Sequence, residues 1–475
     1  MTEQQSSSIA DRCRGTCAVV GLGISNLPLV RFLREHGASV TARDRKTPEK
    51  LGAETVRELT ELGAVLRLGE DYLEDLNEDV IFRSPGLRPD LPDFCEAVRR
   101  GAVLTSEMEW FLELTPATVI GVTGSDGKTT TTTLTYLFLE EECRRRGGGR
   151  VYVGGNIGRP LLPLAEEMTE ADFAVVELSS FQLQDAKVSP ARAAITNLSP
   201  NHLNWHTGME EYIAAKKNIF ANPGNRMLVT NADNPITAEL AKQCGSPVTL
   251  FSANGKPEGA ERSVYPRGDW ILSDSGISAR GVLRTSEIRL PGRHNLENYL
   301  TAIALTDGLV GADSIEAVAR TFTGVPHRLE KIRTVGGVTY YNSSIDSTPT
   351  RTAAALSALS ERNIRPVVIC GGYDKHIPFD PLADALLENA KAAILTGATA
   401  GAIREALERR ENETGVSLPV RMEPDFRNAV EAARETADEG DTVLLSPACA
   451  SFDAFRNFEE RGETFRRIVN GFSEP

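Results

Sequence analysis

The residues Thr118-Val119-Ile120-Gly121-Val122-Thr123-Gly124-Ser125-Asp126-Gly127-Lys128-Thr129-Thr130 carry the plainest chemistry in this sequence. An apolar run enters a glycine-rich turn, and a lysine and threonines open the helical stretch that follows. Backbone N–H groups in such a loop cradle phosphate oxygens, the lysine reaches the β- and γ-phosphates, and a threonine hydroxyl holds Mg²⁺. Gly124, Ser125, Asp126, Gly127, Lys128, Thr129 and Thr130 are therefore the expected contacts to a nucleotide's phosphates. Five residues separate Gly121 from Gly127, so the strict P-loop spacing is not met, yet the compact core keeps each chemical part. A phosphate-bound metal needs a second ligand from a nearby strand end. Phe173-Ala174-Val175-Val176-Glu177 supplies one, an apolar strand ending in a carboxylate that suits the hard-oxygen preference of Mg²⁺. Without the loop, Glu177 would read as an ordinary exposed strand-end acid.

A second glycine turn, Gly21-Leu22-Gly23-Ile24-Ser25-Asn26, also follows a strand and opens a helix. Close backbone approach and the positive end of the helix favour a phosphate there. Asp44 lies 21 residues past Gly23, where a strand-end acid can meet a ribose hydroxyl. A nicotinamide oxidoreductase is one reading. The third glycine of that fingerprint is Asn26 here, and a tight turn with no ligand is the plain alternative.

The elements that must position these loops alternate strand and helix along the chain. Ala18–Gly21, Val119–Val122, Phe173–Val176, Ala193–Thr196, Leu228–Thr230, Val248–Phe251, Val367–Cys370, Ala393–Leu395 and Val443–Leu445 read as buried strands. Leu27–Glu35, Pro381–Asn389 and Phe426–Ala437 read as helices. Such alternation predicts α/β architecture with doubly wound parallel sheets. Trp270–Leu290 alternates around Ser275-Gly276 and predicts a small antiparallel side sheet. Boundaries fall between Ser106 and Pro116 and near Gly324-Val325-Pro326. Three domains are expected: 1–112, Rossmann-like; 113–324, P-loop ATPase-like; and 325–475, Rossmann-like. The 475-residue length agrees with that number.

The chain carries 52 Lys and Arg against 66 Asp and Glu, a formal charge of −14, which argues against a nucleic-acid or membrane-surface binder. No signal peptide is visible in Met1–Gly15, and no apolar run reaches the ~20 residues of a membrane span. The seven cysteines are scattered, with Cys13 and Cys17 the only close pair, and read as reduced thiols of a cytoplasmic protein. Of six histidines, all but His36 (His202, His206, His294, His327 and His376) sit at expected element ends, a pattern that fits a polar cleft.

In order, the motifs continue with Gly154-Gly155-Asn156-Ile157-Gly158, Glu177-Leu178-Ser179-Ser180-Phe181-Gln182-Leu183, Asn197-Leu198-Ser199-Pro200-Asn201-His202-Leu203, Tyr212-Ile213-Ala214-Ala215-Lys216, Gly292-Arg293-His294-Asn295-Leu296-Glu297-Asn298 and Pro326-His327-Arg328-Leu329-Glu330. This series resembles the Mur ligases, ATP-dependent enzymes that add amino acids to a nucleotide-linked cell-wall precursor. The glycine turn with Ser84-Pro85-Gly86, and Leu445 to Asp453 with Phe455, Phe458, Arg461 and Gly462, are most similar to the branch that adds D-glutamate to UDP-N-acetylmuramoyl-L-alanine. The resemblance covers nearly the whole chain.

It implies peptidoglycan precursor synthesis, and with it roles in cell shape and division, by a cytoplasmic monomer with small-molecule substrates only. It implies that Gly23, Ile24, Ser25 and Ser84, with Asp44 or Arg45 near the uracil, bind the UDP part. Asn156, Ser179, Gln182 and His202 would hold the muramoyl-alanine part. Asn295, Asn298, Arg328 and Asp346 would join the loop around ATP, and Lys375, Ser451, Phe452 and Phe458 would meet D-glutamate as the third domain closes. Lys128, Glu177, His202 and Lys216 would be catalytic. Of two Mg²⁺ ions, one would sit on Thr129 and Glu177 and a second on His202. The lysine matching Lys216 is carbamylated by CO₂ in the family, which converts a cation into an oxygen ligand; by itself Lys216 reads as an exposed helical lysine like Lys217. The reaction implied is phosphorylation of the L-alanyl carboxylate, then attack of the amine on the acyl phosphate.

The chain departs from the pattern at Asn201 and Asn204, where acidic residues are usual. It departs again at Ser343-Ser344-Ile345, where Asp-Ser-Lys is usual, with Asp346 or Lys375 in a position to compensate. These changes keep L-glutamate or another amino acid open as acceptor. A folylpolyglutamate synthase-like ligase is a further alternative, weakened by the UDP-type first domain, and a non-catalytic scaffold is a last one.

Overall fold

Short apolar strands that enter glycine turns build the first sheet: β1 (Thr16–Val20), β2 (Ser39–Asp44), β3 (Val65–Leu68), β4 (Val80–Arg83) and β5 (Val103–Thr105). All pairs are parallel, in the order β3-β2-β1-β4-β5. The helix Asn26–Glu35 packs on it through Leu29, Val30 and Leu33, an apolar stripe at helical spacing. The strand order reverses between β1 and β4, so the crevice where doubly wound sheets bind ligands opens beside Gly21 and Ser84. β3 and β5 escaped the sequence reading because they are edge strands; Val65 is 56% exposed and Val103 50%, so no continuous apolar run marks them.

The second sheet contains β6 (Thr118–Thr123), β7 (Val151–Gly155), β8 (Phe173–Glu177), β9 (Arg192–Ile195), β10 (Met227–Asn231), β11 (Val248–Phe251), β12 (Ser263–Arg267), β13 (Trp270–Asp274) and β14 (Ala279–Arg284). Their order is β14-β13-β12-β11-β10-β9-β6-β8-β7, parallel from β7 to β12 and antiparallel through β14. The expected antiparallel hairpin around Ser275-Gly276 is present. It is not a separate side sheet, because β11 pairs with β12 and the hairpin continues the main sheet. The helix Lys128–Arg146 covers this sheet with Leu134, Phe138 and Leu139, and Phe138 meets Tyr299 of the helix Arg293–Thr306 at 6.1 Å between ring centres. Burying each such side chain contributes about 1.5–3 kcal/mol.

The third sheet has β15 (Glu330–Val335), β16 (Val338–Asn342), β17 (Val367–Gly371), β18 (Ala392–Thr396), β19 (Val420–Met422) and β20 (Thr442–Leu445), in the order β15-β16-β20-β17-β18-β19. Only the β15–β16 pair is antiparallel. These positions come from a computed structural model that describes residues 12–23, 26–201, 205–290, 292–360, 362–374 and 377–473. The chain divides into two compact units, Met1–Phe322 and Thr323–Pro475. The segment expected as a boundary at 106–116 is the helix Glu107–Leu114, whose Met108, Trp110 and Phe111 lie in one apolar core with residues of the first two sheets. Among the described residues no helix is long and apolar enough to cross a membrane, and no cysteine is bridged.

Candidate functional site

Strand register brings the phosphate-loop residues together. β6 lies between β8 and β9, with Val122 opposite Glu177 and Thr123 opposite Ile195. The turn after β6 therefore has the end of β8 on one side and the Thr196-Asn197 end of β9 on the other. The turn runs into the helix Lys128–Arg146, whose first-turn amides lack intrahelical partners and present positive charge to an anion.

The Thr129 hydroxyl donates to Glu177 Oε2 at 2.7 Å, and Asn156 Nδ2 donates to Glu177 Oε1 at 2.8 Å. Glu177 is 2% exposed. A hydroxyl and a carboxylate at this separation are a hard-oxygen pair that fits Mg²⁺. Among the described residues no three His, Cys, Asp or Glu side chains gather into a cluster, so phosphate oxygens and water would complete such an ion's shell. Lys128 Nζ donates to Gly124 O at 3.0 Å and Ser125 O at 2.9 Å, folded onto its own loop.

Lys216, which the Tyr212-to-Lys216 motif singles out and composition alone would leave as an ordinary helical lysine, is 2% exposed. Its Nζ donates to Thr123 Oγ1 at 3.0 Å and to the same Gly124 carbonyl at 2.9 Å, and lies 5.0 Å from the centre of the Tyr212 ring. Burial, and then the Lys128 cation, hold its pKa well below the ordinary lysine value, against the opposing pull of Glu177 and Asp126. Lys216 therefore favours the uncharged amine more than any exposed lysine does.

Sequence reasoning missed the groups that hold the loop. Asn197 clamps the Asp126 peptide from both sides, accepting from Asp126 N at 3.0 Å and donating to Asp126 O at 3.3 Å. Thr196 Oγ1 adds a bond to Asp126 O at 2.6 Å. The Ser125 hydroxyl donates to Ser199 O at 2.9 Å and lies 2.9 Å from the Tyr212 hydroxyl. The available signal was topological: in a parallel sheet, residues just past a strand flank the turn of its neighbour. Gly124 has φ +148°, and a Cβ there would lie 1.9 Å from Thr196 Oγ1. Gly124→Ala is expected to weaken ATP binding by about 5- to 150-fold, because the Thr196-Asn197 clamp must open at a cost of roughly 1–3 kcal/mol. Calorimetric titration with ATP checks it; unchanged affinity would count against the clamp.

Asn298 lies against this loop, with Asn295 bonded to it. Thr131 Oγ1 donates to Asn298 Oδ1 at 3.2 Å, Asn298 Nδ2 donates to Asn295 Oδ1 at 3.4 Å, and a Cβ on Gly127 would meet Asn298 Oδ1 at 2.3 Å. Ser179 and Gln182 form a reciprocal capping box at the short helix after β8, at the same sheet edge as Asn156 and Glu177. His202, Ile24, Ser25 and Lys375 lie outside the described residues, as does His376.

In the first sheet, Asp44 accepts from Leu22 N at 2.6 Å and Lys46 N at 2.8 Å, so its carboxylate shapes the glycine turn itself. Asn26, which replaces the third glycine, donates from its side chain to Gly21 O at 2.9 Å. Arg45 is exposed, 3.4 Å from Glu70. Ser84 N donates to Val20 O at 2.9 Å, which sets that loop beside the turn.

In the second unit, Ser446 Oγ donates to Asp346 Oδ2 at 2.9 Å, and burial raises the Asp346 pKa against the pull of Arg328 and Arg351. Ser343 and Ser344 are buried structural groups: Ser343 Oγ accepts from Leu329 N at 3.1 Å, and Ser344 Oγ donates to Phe458 O at 2.8 Å. Ser451 is 3% exposed, Phe452 is 64% exposed with Tyr373 beside it, and Phe458 opens the last helix. His206 is buried with Nε2 2.9 Å from Ser180 Oγ, and His327 is buried against Asn342 and Phe458 in the other unit.

Three family models match the chain: a Mur ligase MurD-like N-terminal domain over residues 15–106, a Mur ligase middle domain over 122–306 and a Mur ligase glutamate ligase domain over 327–449. The chain is 48% identical over 456 residues to a Clostridium novyi (strain NT) protein named UDP-N-acetylmuramoylalanine--D-glutamate ligase, covering 95% of this chain and 96% of that one. It is 46% identical over 460 residues to the Ruminiclostridium cellulolyticum protein of the same name, again covering 95% and 96%. Among solved structures, a murein peptide ligase from Psychrobacter arcticus 273-4 has the same fold, with a TM-score of 0.51 at 15% identity, covering 97% of this chain and 100% of that one.

Proposed function

The chain belongs to the Mur ligase family, and we propose that it joins D-glutamate to UDP-N-acetylmuramoyl-L-alanine, with ATP cleaved to ADP and phosphate. A carboxylate and an ammonium do not condense in neutral water; the carboxylate must first gain a leaving group. The L-alanyl carboxylate attacks the γ-phosphorus of ATP and displaces ADP, giving an acyl phosphate. The D-glutamate amine then attacks the carbonyl carbon, loses a proton, and phosphate leaves from the tetrahedral intermediate. The first step brings one anion onto another, so catalysis is mainly positioning and charge neutralisation.

The observation that carries this reading is the group around the loop: Thr129 and Glu177 at 2.7 Å, with Lys128 and Lys216 sharing the Gly124 carbonyl. Lys128 swings from its own loop onto the β- and γ-phosphates. Mg²⁺ on Thr129 and Glu177 supplies further charge neutralisation when bound. Asn295 and Asn298 back the loop under ATP, with Arg328 and Asp346 as further ATP contacts. A buried uncharged amine at Lys216 is the form that adds CO₂, and its carbamate, with His202, would offer oxygen and nitrogen ligands to a second Mg²⁺. Gly23, Ile24, Ser25, Ser84, Asp44 and Arg45 take the UDP end, and Asn156, Ser179 and Gln182 the muramoyl-alanine end. Lys375, Ser451, Phe452 and Phe458 take D-glutamate. The protein works as a cytoplasmic monomer.

Phosphate release is expected only when UDP-N-acetylmuramoyl-L-alanine, ATP and D-glutamate are all present, with bicarbonate supplied. Parallel reactions with L-glutamate, other amino acids and a folate acceptor test the alternatives. Equal or greater release with any of them would sink the D-glutamate assignment.

A further inference from the structure

Arg83, at the end of β4, is a cation with 2% exposure that bonds in two directions. Towards its own loop, Nη1 donates to Ser84 O at 3.3 Å, Pro85 O at 3.3 Å and Leu87 O at 2.5 Å. Towards the second sheet, Nη2 donates to Phe181 O at 3.4 Å and pairs with the Asp185 carboxylate. Phe181 lies inside the Ser179–Gln182 capping box. One guanidinium therefore touches the loop assigned to the UDP end of the substrate and the turn assigned to its muramoyl-alanine end.

Burying a cation is a poor way to gain stability, since a well-packed apolar side chain often does as well or better. What an arginine adds is a rigid planar fork that can hold several acceptors at fixed separation; a lysine is a single point donor. Three other contacts follow the same line. Trp205 Nε1 donates to Gly86 O at 3.2 Å, and Arg88 donates to Trp205 O at 2.7 Å and Glu211 Oε1 at 2.9 Å. Glu211 is in the helix Met209–Ala221, which carries Lys216.

We infer that Arg83 is a positioning residue that fixes the span between the UDP-binding loop and the Ser179–Gln182 turn, so that a substrate anchored at one end presents its carboxylate at the phosphate loop. This inference rests on the functional reading above. Arg83 touches no reacting atom; it acts through the two backbone segments it joins.

Asp185→Ala is the cleaner test, because it removes Arg83's charged partner while leaving its Ser84–Leu87 and Phe181 acceptors, and Asp185 is itself partly exposed, at 27% of its side chain. The full-length variant is expected to keep wild-type affinity for UDP alone, which engages one end. Its KM for UDP-N-acetylmuramoyl-L-alanine is expected to rise at least about tenfold, with the KM for ATP unchanged. Arg83→Lys is expected to move the KM the same way without rescue. Adding Asp185→Ala to Arg83→Met should cost no more than Arg83→Met alone, since the two residues act through one link. An active wild type whose Asp185→Ala and Arg83→Lys variants keep its KM overturns the inference alone. So does a loss of affinity for UDP alone in Asp185→Ala as large as that for the whole substrate. A folded wild type with no D-glutamate-dependent phosphate release overturns the functional reading and the inference with it.

Discussion

Replacing Lys216 with alanine is expected to lower D-glutamate-dependent phosphate release more than about 10³-fold, and short-chain carboxylates to restore part of it. The side chain is buried with two oxygen acceptors, Thr123 Oγ1 and Gly124 O, and no carboxylate bonded to it. Burial and Lys128 favour the neutral amine. That amine is nucleophilic towards CO₂, whereas an ammonium has no lone pair to offer. Alanine removes both the amine and the carbamate proposed on it and leaves a hole beside Gly124. Acetate or formate is expected to enter that hole and return an oxygen pair to the same place. Phosphate release measured across a carboxylate concentration series checks this, alongside ATP affinity. Retained ATP binding with no restoration at any concentration would count against the carbamate.

Glu177→Gln is the second large effect expected, a fall in kcat of about 10³-fold with the fold intact. Glutamine preserves the shape of the side chain and can still accept one of the two bonds now made by Thr129 and Asn156. What it removes is the negative charge that, with the Thr129 hydroxyl, makes a hard-oxygen pair. The variant should need more Mg²⁺ for half-maximal rate and keep the wild-type melting temperature. Titrating Mg²⁺ against phosphate release checks it; an unchanged Mg²⁺ dependence would show that Glu177 is not a metal ligand.

These two residues differ in how far the sequence announced them. Glu177 was legible because an apolar strand ends in it and a phosphate loop precedes it. Lys216 was legible only through the Tyr212-to-Lys216 motif, since its residue type does not tell it from Lys217 beside it. The helix Met209–Ala221 turns Lys216 inward with Tyr212 and Ala215 and leaves Lys217 on its outer flank, bonded to Gln243. Asn197 and Arg83 were less legible still. Their partners are 71 residues away at Asp126 and 102 away at Asp185, and no local pattern reports such pairs. The hairpin at Ser275-Gly276 shows the converse: its local alternation was plain, and only its pairing with β11 through β12 decided that it extends the main sheet.

By itself, the sequence determined the α/β class, the two glycine turns and the residue types that meet phosphate and metal. Each of these depends on local chemistry: a hydrophobic run makes a buried strand, a glycine permits a tight turn, and a lysine or threonine follows at a helix start. Tertiary structure alone decided that Lys216 is buried and shares a carbonyl with Lys128, that Asn197 clamps the loop after β6, and that Arg83 joins the Ser84–Leu87 loop to Phe181 and Asp185. The reason is that strand order and register, set by packing across the whole sheet, choose which distant strand ends become neighbours. Burial then changes what a side chain can do: out of water and beside another cation, the Lys216 ammonium gives up its proton more readily than it would on an open helix face.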